Sequence, residues 1–171
     1  VTELNGNAVI PNANIILKDK KTAIETSLTT DDKGEFKVSN FPGTEYEITV
    51  KKSGYFAEPI NVNVSKETRL SPIKINLKKL EVNDVFVLKN ILYDYNDWKI
   101  TPQAESNLDR IIAFLLDNPQ LKIELSSHTD ARGKDDYNAE LSDKRARSAV
   151  AYIISKGIAT DRLIAKGYGE T

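Results

Sequence analysis

Apolar positions follow two different periods along this chain, and the change between them falls near residue 82. Up to about residue 80, apolar and polar residues alternate in short runs at 13–17, 26–29, 36–38, 46–50, 60–64 and 73–77, rich in β-branched and aromatic side chains. A period of two is that of strands with one buried face. The runs are separated by turn chemistry at Asn5-Gly6-Asn7, Asp31-Asp32-Lys33-Gly34, Phe41-Pro42-Gly43 and Lys52-Ser53-Gly54. Six or seven strands at this spacing predict an all-β sandwich over residues 1–81.

After the polar stretch 78–83 the period becomes helical. Thr101 as N-cap and Pro102 at the first helical position open a helix whose apolar face is Leu108, Ile111, Ile112, Leu115 and Leu116, closing at Asn118-Pro119. A second helix is predicted over 135–156, with Ala139, Ala146, Val150 and Ile153 on one stripe and Gly157 at its end. Strand candidates at 85–93, 121–126 and 162–168 fill the gaps. The order β-α-β-α-β predicts an α+β domain over 82–171, with both helices on one face of a small mixed sheet.

Composition narrows the partners. No run of ~18 apolar residues exists, so no membrane-spanning helix is expected. With 24 basic against 25 acidic side chains the chain has no field to gather nucleic acid. It has no cysteine, which removes disulfides and thiolate chemistry. It opens at Val1 without a methionine or a signal peptide, so its targeting information is expected to lie elsewhere.

The candidate chemistry lies in Ser127-His128-Thr129-Asp130-Ala131-Arg132-Gly133, just past a strand and just before a helix, a place where ligands often bind. On the following helix Asn138 and Arg145 are separated by two turns and at ~100° per residue fall within about 20° of each other. Asp130 and Arg145 make either a salt bridge between loop and helix or the two walls of a groove. A ligand carrying an ammonium and a carboxylate on one carbon needs both signs, each in a charge-assisted bond.

The pattern His128-Thr129-Asp130, Gly133, Asn138-x-x-Leu141-Ser142-x-x-Arg145-Ala146 resembles the signature of the OmpA-like peptidoglycan-binding family. So do the flanks Ile91-Leu92-Tyr93-Asp94, Gly157-Ile158, Arg162-Leu163 and Lys166-Gly167-Tyr168-Gly169-Glu170. The resemblance implies that Asp130 and Arg145 hold the ammonium and carboxylate of diaminopimelate in a peptidoglycan stem peptide. It further implies that Asn138 makes polar contacts or positions the loop, that Leu141 shapes the groove, and that Asp94 stands at its edge. Ala149 departs from the family, which tends to place valine there.

The first half resembles a carboxypeptidase regulatory-like domain, a transthyretin-like sandwich, through Ala13-x-Ile15-x-Leu17, Thr29-Thr30-Asp31-x-x-Gly34-x-Phe36, Phe41-Pro42-Gly43-x-x-Tyr46 and Lys52-x-Gly54-Tyr55. Asp31-Asp32 is read as a hairpin turn and not a calcium site; no metal or cofactor is expected. Together the two likenesses imply a non-catalytic tether in the periplasm of a Gram-negative bacterium, associated with the outer membrane. The pairing resembles Bacteroidetes-type envelope proteins, and by analogy of architecture a type IX secretion machine.

Two rival readings remain. A cell-wall hydrolase would draw on Ser126 or Ser127, His128 and Asp130, but strand neighbours point to opposite faces, no nucleophile elbow is present, and one histidine is too few for a zinc amidase. An envelope interaction module would use the sandwich to bind a partner protein. Tyr93, Tyr95 and Trp98 are candidates for an aromatic platform for sugars, with packing as the alternative use.

Overall fold

The computed structural model describes the chain apart from residues 5, 7, 39–44, 65–71, 87–90, 92 and 171. It divides into two compact units, Val1–Asp84 and Val85–Thr171.

Among the described residues, the first unit carries seven strands: β1 (Thr2–Glu3), β2 (Asn14–Asp19), β3 (Glu25–Thr29), β4 (Glu45–Lys51), β5 (Tyr55–Phe56), β6 (Ile60–Asn63) and β7 (Asn76–Lys79). One antiparallel sheet has the order β3-β2-β4-β6 and a second the order β1-β7-β5, with β1 and β7 parallel. Alternation decides the inner face. Ile15 and Leu17 of β2 stand opposite Val50 and Ile48 of β4, and all four are buried with Leu77 of β7 in one apolar core. Packing two such faces over a shared core is what makes the sandwich stable.

Two sequence expectations shift here. Residues 36–38 form no strand: Phe36 and Val38 lean on the core, so their alternation reflects burial without a ladder. The run at 73–77 enters its sheet only at Asn76. The turns around Asn5 to Asn7 and at Phe41-Pro42-Gly43 lie wholly or partly outside the described residues. The Asp31 turn is a local hydrogen-bonded loop in which Asp31 Oδ1 accepts the amides of Lys33 and Glu35 at 2.9 and 2.8 Å. Those bonds, the Glu35 one foremost, hold the carboxyl below its ordinary range.

The second unit runs α1 (Pro102–Asp117), β8 (Ile123–Ser127), α2 (Asp135–Ser155), a 3₁₀ turn (Thr160–Arg162) and β9 (Leu163–Gly167). Strands β8 and β9 pair in parallel, Ile123 opposite Leu163 and Ser127 opposite Gly167. The expected strand at 85–93 falls partly outside the described residues. Thr101 Oγ1 caps α1 by accepting the Ala104 amide at 3.2 Å, with proline in the first turn. Leu108, Ile112 and Leu115 of α1 meet Leu125 of β8, Leu163 of β9 and Ala149 and Ile153 of α2 in one core.

The far end of α1 is closed by Arg162, which donates to the carbonyls of Leu115, Asn118 and Leu121 at 2.8–2.9 Å, a cation serving orphan carbonyls at a helix C-terminus. Leu116, expected inside, is 61% exposed; one residue past Leu115, it is turned ~100° away from the core. Ala139 is likewise exposed, and the buried face of α2 is Asn138, Leu141, Ser142, Ala146, Ala149 and Ile153. Among the described residues no helix is long and apolar enough to cross a membrane.

Candidate functional site

Beyond β8 the chain is held by the segment after β9. The Tyr168 amide donates to Ser127 O at 3.0 Å, and the Thr129 amide to Gly169 O at 2.7 Å. Gly169 in turn donates its own amide to Ser142 Oγ on α2 at 2.9 Å. This close approach of β9 to α2 requires Gly167, where an added Cβ would lie 2.2 Å from the Asp143 amide nitrogen. His128 projects to the exposed side and stacks on the Tyr168 ring, centroids 5.3 Å apart and planes 9° apart.

Asp130 is exposed in the loop that follows. Its Oδ1 accepts the Arg132 amide at 3.3 Å, and its backbone carbonyl accepts Asn138 Nδ2 at the same distance. Asn138 is 1% exposed, so its amide is a fixed strut between loop and helix. The loop turns back over it at Gly133, φ +119°, where a Cβ would stand 3.1 Å from Asn138 Oδ1. Both the dihedral and the contact call for glycine.

Arg145 lies two turns further along α2, about 10 Å along the axis from Asn138. Its Nε donates to Asp97 O at 2.9 Å and one terminal nitrogen to Asp94 O at 3.3 Å. Its guanidinium carbon sits 5.0 Å from the Tyr93 ring centroid, within cation–π range. The Tyr93 hydroxyl donates to Arg145 O at 3.0 Å, and burial pushes this phenol above its ordinary pKa against the pull of the Arg145 charge. The 94–98 loop is itself shaped by the Asp97 carboxylate, which accepts the amides of Lys99 and Trp98. These bonds, with Lys99 leading, hold Asp97 below the usual carboxylate range.

Asp130 and Arg145 therefore do not neutralise each other. Among the described residues neither makes an ion pair within 4.0 Å. The salt-bridge alternative is thus not what the side chains do. Arg145 meets neutral carbonyls and a ring with two of its five N–H groups, leaving three for a ligand. Among the described residues no cluster of histidine, aspartate or glutamate is arranged to hold a metal.

The OmpA family model matches residues 92–171, and the carboxypeptidase regulatory-like domain model matches residues 1–78. Each half of the chain carries a known domain. Residues 92–171 are an OmpA family domain.

Outer membrane protein A of Escherichia fergusonii is 38% identical over 89 residues, covering 50% of this chain and 37% of that protein. The photosystem I P700 chlorophyll a apoprotein A2 of Gloeobacter violaceus is 37% identical over 83 residues, covering 48% of this chain and 10% of that protein. A crystal structure of the peptidoglycan-associated lipoprotein from Burkholderia pseudomallei aligns with a TM-score of 0.45 at 25% identity, over 47% of this chain and 68% of that one. The chain thus spans between 10% and 37% of the length of these curated relatives. Membership of the OmpA family supports peptidoglycan binding at the level of the family.

Within the OmpA domain, the residues singled out from the sequence fall into two groups. Asn138 and Asp130 touch, and Arg145 touches Asp94, but through the Asp94 backbone carbonyl and not its carboxylate. Leu141, 9% exposed, lies on the same helix face and lines a shallow pocket with Asn96, Trp98, Tyr137, Glu140 and Lys144. Tyr93 serves Arg145, while Tyr95 is fully exposed. Ser126 and Ser127 differ in exposure as strand neighbours do. Sequence reasoning missed Tyr137, whose hydroxyl donates to Asn96 Oδ1, and the bond from Gly169 to Ser142. The only sequence signal for the latter was the glycine pair at 167 and 169.

Proposed function

We propose that the OmpA domain binds uncrosslinked peptidoglycan stem peptides through their diaminopimelate, without catalysis, and so tethers an outer-membrane or periplasmic assembly to the wall of a Gram-negative bacterium. Asp130 takes the ammonium and Arg145 the carboxylate on one carbon, each in a charge-assisted bond. Asn138 sets the loop, Leu141 forms the groove wall, and Asp94 stands at the edge. On this reading the carboxypeptidase regulatory-like domain faces other envelope proteins, a type IX secretion machine among the candidates.

One observation carries the reading. Two opposite charges are presented from a loop and the helix it is bonded to, yet Arg145 is held by neutral carbonyls and not by Asp130. A structural ion pair would be closed; this one is open for a zwitterion.

Calorimetry with meso-diaminopimelate and with a stem tripeptide tests it. Asp130→Ala and Arg145→Ala should each abolish measurable heat, because a charge of the ligand left unpaired on desolvation costs several kcal/mol. Arg145→Lys should not restore it, since a point charge does not reproduce a planar fork. Unchanged affinity in both alanine variants would falsify the assignment. Incubation with purified sacculi separates tether from hydrolase: the protein should sediment with the wall, and release of soluble muropeptides, seen by mass spectrometry, would instead mark an enzyme.

A further inference from the structure

The OmpA domain leaves aromatic surface in the open, with Tyr137 on α2 about two turns before Arg145. Trp98 and Tyr137 are 42% and 43% exposed, and both line the concavity that also contains Asn96, Glu140, Leu141 and Lys144. Its enclosed volume is only about 50 Å³, far below the roughly 300–1,000 Å³ of pockets that enclose a drug-sized molecule, so it offers an open platform on which one ring can rest.

The two aromatic rings are held in place. The Tyr137 hydroxyl is bonded to Asn96, which sits in the left-handed region at φ +54°. Lys144 places its ammonium 4.6 Å from the centre of one Trp98 ring face and is itself paired with Glu140 at 2.6 Å. Rings fixed in advance lose little entropy when a ligand arrives.

The rim carries an amide, a carboxylate and an ammonium around apolar rings. That combination matches a ligand with an apolar C–H face and a periphery of hydroxyl and acetamido groups that both donate and accept. A protein partner would need about 800 Å² of surface on each side, which so small a concavity does not supply. It also adjoins the proposed peptide site: Leu141 belongs to both, and the 94–98 loop that provides Asn96 and Trp98 also provides the carbonyls that hold Arg145.

We propose that this concavity is a sugar subsite for the muramyl ring to which the stem peptide is attached. The inference rests on the reading of Asp130 and Arg145 as the peptide site. A peptide held there carries its sugar with it, so the second contact is intramolecular and gains from effective concentration.

The test compares an N-acetylated stem tripeptide with the muramyl tripeptide, which have equal charge, by calorimetry on this chain. Wild type should bind the muramyl ligand on the order of tenfold more tightly. Trp98→Ala and Tyr137→Ala should erase that difference and leave the affinity for the bare tripeptide unchanged. Because Trp98 is the only tryptophan, its emission should also shift with the muramyl ligand and not with the tripeptide. Equal wild-type affinities for the two ligands, with tripeptide binding intact, would overturn the sugar subsite alone. Emission that ignores the muramyl ligand would do the same. Failure of both ligands to bind would remove the charge-pair reading and the subsite together.

Discussion

The guanidinium of Arg145 lies over the ring of Tyr93, 5.0 Å from its centroid, and the Tyr93 hydroxyl donates back to the Arg145 carbonyl at 3.0 Å. One tyrosine thus supports both the side chain and the backbone of the residue that carries the positive charge of the site. Tyr93→Phe keeps the ring and removes the bond, so it should cost about 1 kcal/mol in urea unfolding and change ligand affinity little. Tyr93→Leu removes the ring face as well, and calorimetry should show affinity falling several-fold further, in line with about 0.5–1 kcal/mol for such a contact. Equal affinity in the two variants would mean the ring does not support the guanidinium.

Asn138 is the strut of the Asp130 loop. Asn138→Ala leaves a backbone carbonyl without its donor, and stability should drop by about 1–3 kcal/mol. Asn138→Asp sets a carboxylate against that carbonyl in a buried place and should be worse. Chemical denaturation of both, with ligand titration of whichever folds, checks the order. An aspartate variant as stable as wild type would show that the bond to Asp130 contributes nothing.

Gly167→Ala should be among the most damaging single changes in the OmpA domain. The new methyl meets the backbone of α2 at 2.2 Å, and backbone cannot rotate aside as a side chain would. The loss should reach or exceed the upper end of the roughly 1–3 kcal/mol typical of overpacking. A melting temperature within a degree or two of wild type would mean that β9 can slide off the helix without cost.

Acid should act on each unit through one aspartate held by backbone amides. Asp31 and Asp97 are both held below the ordinary value of 3.8 by backbone amides. Their folded pKa values are depressed, so each contributes stability present above the unfolded value and lost as pH falls through the folded one. Stability against unfolding should therefore fall below about pH 4. The decline should flatten for Asp31→Asn in the sandwich and for Asp97→Asn in the OmpA domain. Identical pH slopes for wild type and variants would refute the linkage.

Much of this was legible from residue type and spacing, and the parts that were not have physical causes. Ile15, Leu17, Ile48 and Val50 alternate with polar neighbours over runs long enough to declare a period, and they form the sandwich core. Strands β1 and β5 are two residues long and pair with β7, too short to have a period to read. Leu116 and Ala139 sit one residue from truly buried positions, and on a helix that single step is a turn of ~100°. At the site, the spacing of Asp130, Asn138 and Arg145 could be read directly. What holds Arg145 could not, because the acceptors are the carbonyls of Asp94 and Asp97, groups every residue possesses. The link between Tyr137 and Asn96 joins positions 41 residues apart and leaves no local trace.

Gly169 is bonded by its carbonyl to the loop bearing Asp130 and by its amide to α2, at 2.7 and 2.9 Å. On the tether reading proposed above, this single residue would act as a mechanical knot. Pull arriving through the Asp130 loop would then reach α2 through the two hydrogen bonds of that one residue.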